Sequence, residues 1–138
     1  RPQSAFTAGF IGETNFLDGV VKSISDDTIR IHTPQGDWQS IHGLERFKVG
    51  DEVTLSMRPE TLHLGEAPAG QVNVVKGIVH DTVYLGEVAQ HQVRIGEENG
   101  RNVKVFDLNP RILARDTEKD SAVWVETRDV VVLPRVHV

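Results

Sequence analysis

The sequence predicts a mostly β fold, and two observations carry that prediction. Valine, isoleucine and threonine together account for 37 of the 138 residues, against 9 leucines. Such β-branched side chains favour the pleated surface of a sheet. Apolar and polar residues also alternate in short runs, most clearly where Val53, Leu55 and Met57 fall on one face of a strand and Thr54 and Ser56 on the other.

The elements follow in order along the chain. A short helix is expected between Pro2 and Ile11, because Phe6 and Phe10 are four residues apart and Gly12 can end it. Strands are expected from Gly19 onward, with turns at residues 25–27, 34–37 and 48–51. In the second half we expect strands over 72–85 and 88–95, a hairpin turn at 97–100, a strand through Val103 and Val105, a loop over 109–120 and two short strands within 122–133.

The two halves resemble each other, which predicts an internal duplication. Residues 53–58 align without a gap with residues 123–128, and each half opens with a glycine followed by two β-branched residues, at Gly19 and Gly77. The alternative is that any two β segments share alternation. We expect a connector over residues 1–18 and two small barrel-like units over 19–70 and 71–138. The two units could also exchange strands.

Composition excludes several classes of protein. The chain has no cysteine, so disulfides and thiol nucleophiles are absent, and its net charge of −5 argues against a nucleic-acid surface. No apolar run approaches the roughly 20 residues of a spanning helix. The sequence contains no phosphate-binding loop or hydrolase motif, and the six scattered histidines have no metal-ligand spacing. We therefore expect that this chain has no catalytic activity and binds neither a metal nor a nucleic acid.

Several strings in a fixed order resemble a known family. These are residues 10–17, 19–21, 53–60, 77–79, 84–86 and 93–94. Together they are similar to the C-terminal regulatory region of importer-type ABC transporter ATP-binding subunits, the TOBE (transport-associated OB) domain. The resemblance spans residues from about 5 to 133 and is closest to the spermidine and putrescine type, with iron, sugar and sulfate importers as alternatives.

The resemblance implies both a fold and a role. It implies two OB-like barrels whose role is to regulate the subunit and to mediate its dimerisation. The connector would then follow an ATPase domain, and Arg1 would mark the point at which this piece is cut from the longer subunit. The implied partners are that ATPase domain, a second copy of the subunit and transmembrane permease subunits. ATP and magnesium would belong to the ATPase domain, so that this fragment itself has no cofactor, and the complex would lie on the cytoplasmic face of the membrane.

A second hypothesis is a stand-alone module that binds a small ligand or an oxyanion, as molybdate-binding relatives do. The chain also departs from the family at residues 126–129 and at Gln92, which leaves the pocket of the second half and the substrate open.

Six residues are candidate ligand or partner contacts. Gly86 permits unusual backbone conformations, and Gln90, Gln92 and Arg94 alternate onto one strand face, where they could meet a ligand or simply face solvent. Arg58 and Glu60 flank a rigid proline, where they could contact a partner or form an exposed ion pair.

A second group of residues is expected to pack within the core or against a neighbouring domain. These are Phe6, Phe10, Ile11 and Phe16, whose spacing suits burial, together with Asn15, which is expected to hydrogen-bond the turn that feeds the first strand.

Overall fold

A computed structural model describes residues 14–96, 100–107 and 120–135. The described residues are mostly β, which confirms the predicted fold class. Within these residues the two other regular elements are single turns of 3-10 helix at Pro59–Thr61 and Thr127–Asp129. The strands are β1 (Asn15–Ile24), β2 (Ile29–Thr33), β3 (Gly36–Ser40), β4 (Glu52–Met57), β5 (His63–Leu64), β6 (Val74–Leu85), β7 (Val88–Ile95), β8 (Arg101–Asp107), β9 (Asp120–Trp124) and β10 (Val131–Pro134).

The predicted N-terminal helix, with Phe6, Phe10 and Ile11, lies outside the described residues. The same holds for residues 97–99 of the predicted hairpin turn and for residues 109–119 of the predicted loop.

The strands form two antiparallel five-stranded sheets of identical topology. The order in the first sheet is β10-β4-β1-β2-β3, and in the second it is β5-β9-β6-β7-β8. Each sheet therefore takes one edge strand from the opposite half of the chain. Because β5 and β10 cross the predicted boundary near residue 70, neither half completes its sheet alone. The division into two separate barrels stays a prediction.

Strand pairing fixes which positions of the two halves correspond. Gly19 pairs with Val53 and Gly77 pairs with Ser121, so Val53 corresponds to Ser121, an offset of 68 residues. The sequence alignment, which matched Val53 with Val123, was wrong by two positions. A shift of two residues preserves alternation, so pattern alone could not detect the error.

A second structural correspondence lies within the long strands. The register shifts after Val21 in β1, and it shifts at the equivalent place after Val79 in β6. Such bulges bend a strand and increase its twist. Both long strands therefore curve just after their glycines.

One continuous apolar cluster contains residues from both sheets. Trp38, Leu17 and Leu55 are among the largest side chains contributed by the first sheet, and Val93 and Val123 come from the second; all are fully or almost fully buried. Val53, Leu55 and Met57 are buried as their alternation predicted. Thr54, expected on the solvent face, is also buried, and its hydroxyl donates to Asp18 at 2.7 Å.

Two buried asparagines connect each sheet to an edge strand of the other. Asn15 in β1 donates its amide hydrogen to the carbonyl of Lys104 in β8 at 2.9 Å and accepts from the Lys104 N–H at 2.8 Å. Asn73, just before β6, makes the same pair of bonds to Gln39 in β3, at 2.8 and 2.7 Å. We call these the two asparagine clamps. Each clamp satisfies the outward backbone groups of one residue on an edge strand.

Candidate binding site

Two open grooves of opposite charge flank strand β8. The first, which we call the basic pocket, has a volume of about 390 Å³ and lies where the start of β1 meets β7 and β8. The described part of its lining carries two cations and no carboxylate. The lining residues are Thr14, Asn15, Phe16, Gln92, Arg101, Asn102 and Lys104.

The second groove, which we call the acidic groove, has a volume of about 370 Å³. It lies at the other end of β8, between the 3-10 turn after β4, the short strand β5 and the end of β9. Three carboxylates and two aromatic rings line it, and the imidazole of His63 stacks on Trp124 with ring centroids 4.2 Å apart. The lining residues are Glu60, Leu62, His63, Leu64, Glu66, Phe106, Asp107 and Trp124.

The charges of the grooves determine what each can accept. Guanidinium and ammonium groups form charge-assisted hydrogen bonds with anions, whereas carboxylates beside an aromatic face favour a cation. Among residues 14–96, 100–107 and 120–135, no group of three or more histidine, aspartate or glutamate side chains is placed to hold a metal ion. The two grooves therefore favour occupants of opposite charge.

The structure distributes the predicted contact residues over three places. Gln90, Gln92 and Arg94 lie on the face of β7 opposite its buried residues. Gly86 forms the turn between β6 and β7 with a φ of +70°. Since a strand rises about 3.3 Å per residue, Gly86 and Arg94 lie at opposite ends of β7, too far apart to contact one small ligand.

Arg58 and Glu60 lie elsewhere, at the end of β4. Their side chains are half-exposed and form an ion pair in which Arg58 Nε is 2.6 Å from Glu60 Oε2. An ion pair this exposed contributes little to stability. Glu60 also lines the acidic groove. The roles of all six residues as ligand or partner contacts stay predictions.

The structure narrows one prediction at the start of β1 and corrects another. Phe16 lies outside the core, because strand alternation turns it away from buried Asn15 and Leu17 and leaves it 49% exposed. Its packing against a neighbouring domain stays a prediction. Asn15 was expected to bond the local turn, but it instead holds the backbone of Lys104, 89 residues away.

Sequence reasoning missed Asn73 and the cations of the basic pocket. A signal for Asn73 was present, since Asn15 precedes Gly19 by four residues just as Asn73 precedes Gly77, in a repeated Asn-x-x-x-Gly-(Val/Ile)-Val pattern. Arg101 and Lys104 carried no comparable signal, because only strand pairing places Lys104 beside Gln92.

One histidine of the second sheet lies on the buried face of β7. His91 in β7 is 2% exposed, its Nδ1 lies 2.9 Å from the hydroxyl of Thr82, and its Nε2 lies 3.8 Å from an Asp107 carboxylate oxygen. Burial lowers the pKa of His91 below its usual 6.5, and the negative charge of Asp107 opposes part of that effect.

This histidine predicts a pH dependence of stability. With a lowered folded-state pKa, the unfolded chain binds the proton more readily, so the contribution of His91 is complete above about pH 7 and is lost as pH falls below about 6.5. We expect urea midpoints measured from pH 8 to pH 5 to fall less steeply in a His91→Gln variant. An unchanged slope in the His91→Gln variant would contradict the assignment.

Comparison with known proteins identifies the class. The family model of the TOBE domain matches residues 55–133. The chain therefore belongs to the TOBE-domain family. No helix among the described residues is long and apolar enough to cross a membrane.

Curated relatives place the family match in a larger protein. The chain is 37% identical over 116 residues to the spermidine/putrescine import ATP-binding protein PotA of Pseudomonas fluorescens, which covers 81% of this chain and 30% of that protein. It is 29% identical over 128 residues to PotA of Thermobifida fusca, which covers 92% of this chain and 33% of that protein. The chain thus spans about a third of the length of these relatives.

A solved structure shows the same fold. The cytoplasmic molybdate-binding protein ModG, determined with molybdate bound, superposes with a TM-score of 0.75 and covers 88% of this chain and 96% of its own. The two sequences are 14% identical, so the likeness concerns the fold alone.

Proposed function

We propose that this chain is a non-catalytic regulatory and dimerisation domain in the ATP-binding subunit of a bacterial ABC importer of the spermidine and putrescine type. The observation that carries the proposal is the match to PotA proteins over most of this chain and about a third of theirs. Iron, sugar and sulfate importers are the alternative types. The rest of such a subunit would bind ATP and magnesium through a phosphate-binding loop, a motif that this sequence lacks.

The proposed partners follow from the same assignment. They are the ATPase domain of the same subunit, a second copy of the subunit and the permease subunits, on the cytoplasmic face of the membrane. Exposed apolar side chains at the tip of the β6–β7 hairpin support a role in protein contact, since Val83, Tyr84 and Leu85 are 44%, 52% and 55% exposed. Apolar side chains gathered at a hairpin tip are typical of interaction surfaces.

The dimerisation proposal predicts that this hairpin tip contributes to association. In the intact ATP-binding subunit, replacing Tyr84 and Leu85 together by serine should raise the dimer dissociation constant by about tenfold, because buried aromatic anchors dominate interface energies. Sedimentation velocity over a range of concentrations measures the effect. The control is Val49→Ser, which removes another exposed apolar side chain, at 64% exposure. Unchanged dimerisation in the double variant would refute a role for the hairpin.

The second candidate is a stand-alone small-ligand or oxyanion-binding module. The structural likeness to a molybdate-binding protein favours it. Thermal denaturation with molybdate, sulfate, spermidine and putrescine separates the two candidates. A saturable rise in melting temperature with one compound favours the module, because a ligand that binds the folded state stabilises it by mass action. We expect none for the regulatory domain.

A further inference from the structure

The basic pocket concentrates positive charge in an acidic protein. Among the residues that the structure describes, Arg101 and Lys104 line it and no carboxylate does, although the chain as a whole carries a net charge of −5. Local complementarity of this kind attracts an anion into a cleft even when the overall field opposes it. The lining therefore selects for a negatively charged occupant.

The pocket also offers hydrogen-bond donors. Within the described part of the chain, the Gln92 amide and the Arg101 guanidinium make no hydrogen bond or ion pair. The side-chain oxygen of Asn102 lies 3.1 Å from His80 Nε2 and accepts from it, which leaves the Asn102 amide nitrogen available to donate. Three donor groups and two positive charges thus line one cavity.

The occupant must also match the size and apolar wall of the pocket. A volume of about 390 Å³ falls within the range of about 300–1,000 Å³ that holds small organic ligands. The ring of Phe16, 49% exposed, lines one side. The phenyl ring has no hydrogen-bonding group for an inorganic ion, but it can contact the carbon skeleton of an organic anion.

We propose that the basic pocket binds a small organic phosphate. A phosphate monoester carries a charge of about −1.5 to −2 near pH 7, which matches two cations better than a single carboxylate does. The planar fork of Arg101 suits bidentate contact with phosphate oxygens. Gln92 and Asn102 donate to the remaining oxygens, and the organic part lies against Phe16. The site does not depend on the proposed role in dimerisation.

The test is an NMR titration of the full chain at constant ionic strength. The probes are ribose 5-phosphate, ribose, inorganic phosphate and molybdate. We expect saturable amide shifts at Phe16, Gln92 and Asn102 with ribose 5-phosphate. Inorganic phosphate should shift the same amides with weaker affinity, and ribose should shift none. The Arg101→Gln variant should bind ribose 5-phosphate about tenfold more weakly, since it removes one charge-assisted contact.

The matched control removes an arginine elsewhere. Arg30 lies on the exposed face of β2 in the first sheet, so Arg30→Gln changes the net charge equally and should leave the affinity within about twofold of the native value. Shifts that are absent, that do not saturate, or that weaken equally in both variants would overturn the proposal. Tighter binding of molybdate than of ribose 5-phosphate would overturn it in favour of an inorganic oxyanion site. None of these outcomes bears on the dimer measured in the intact subunit.

Discussion

Replacing Asn73 by alanine is expected to lower the free energy of unfolding by about 2–4 kcal/mol, because it leaves two backbone groups of Gln39 without their partners. Asn73 is completely buried, and both of its bonds to Gln39 are shorter than 3 Å. Both bonds are partly buried, and a partly buried donor or acceptor that loses its partner costs more than an ordinary hydrogen bond gains.

The measurement is urea unfolding followed by tryptophan fluorescence, where the loss appears as a lower midpoint. Asn102→Ala is the matched control, because Asn102 is exposed and its side chain bonds only the exposed His80. Asn15→Ala should resemble Asn73→Ala, since the two clamps have the same geometry. Equal midpoints for the Asn73 and Asn102 variants would show that the hydrogen bonds of the clamp add no more stability than the side chain of an exposed asparagine.

The clamps also have a consequence for association. The edge strands β3 and β8 would otherwise present free N–H and carbonyl groups, which are templates for pairing with another chain. Each asparagine occupies both outward groups of one residue of its edge strand, Gln39 in β3 and Lys104 in β8. Association through these edges is therefore blocked at that residue, and the contacts we propose for a second copy use the β6–β7 hairpin instead.

Local patterns predicted much of the fold. Alternation identified the strands and placed Val53, Leu55 and Met57 in the core, because period-two burial is a property of the strand itself. The turns at 25–27 and 48–51 followed from their aspartates and glycines. These features depend on residues that are neighbours along the chain, so they can be recognised from the sequence alone.

Features that depend on distant partners could not be predicted in the same way. The correct correspondence between halves differs by two residues from the best sequence alignment, and only the pairing of Gly19 with Val53 and Gly77 with Ser121 reveals it. The same reason explains why the basic pocket differs from the contact site that the sequence predicted. Gln92 was singled out from its strand, but Arg101 and Lys104 join it only through the register of β7 with β8.

The glycines of the repeated pattern lead to the second large effect. A Gly19→Ala variant is expected to lose about 1–3 kcal/mol of stability, the usual cost of overpacking a core. A Cβ at position 19 would lie 2.5 Å from the carbonyl oxygen of His32 and 2.6 Å from a methyl carbon of Ile31. Neither can move away easily, since one is strand backbone and the other belongs to a fully buried side chain.

The equivalent glycine of the second sheet should behave alike. At Gly77 the added Cβ would lie 2.7 Å from Val93 and 3.1 Å from Val123, so Gly77→Ala should also lower the urea midpoint. Gly100→Ala is the control, because the atoms it would meet belong to the guanidinium end of exposed Arg94, which can swing into solvent. A Gly100 variant as unstable as the Gly19 variant would mean that lost backbone freedom, rather than close packing of β1 against β2, sets the requirement for glycine.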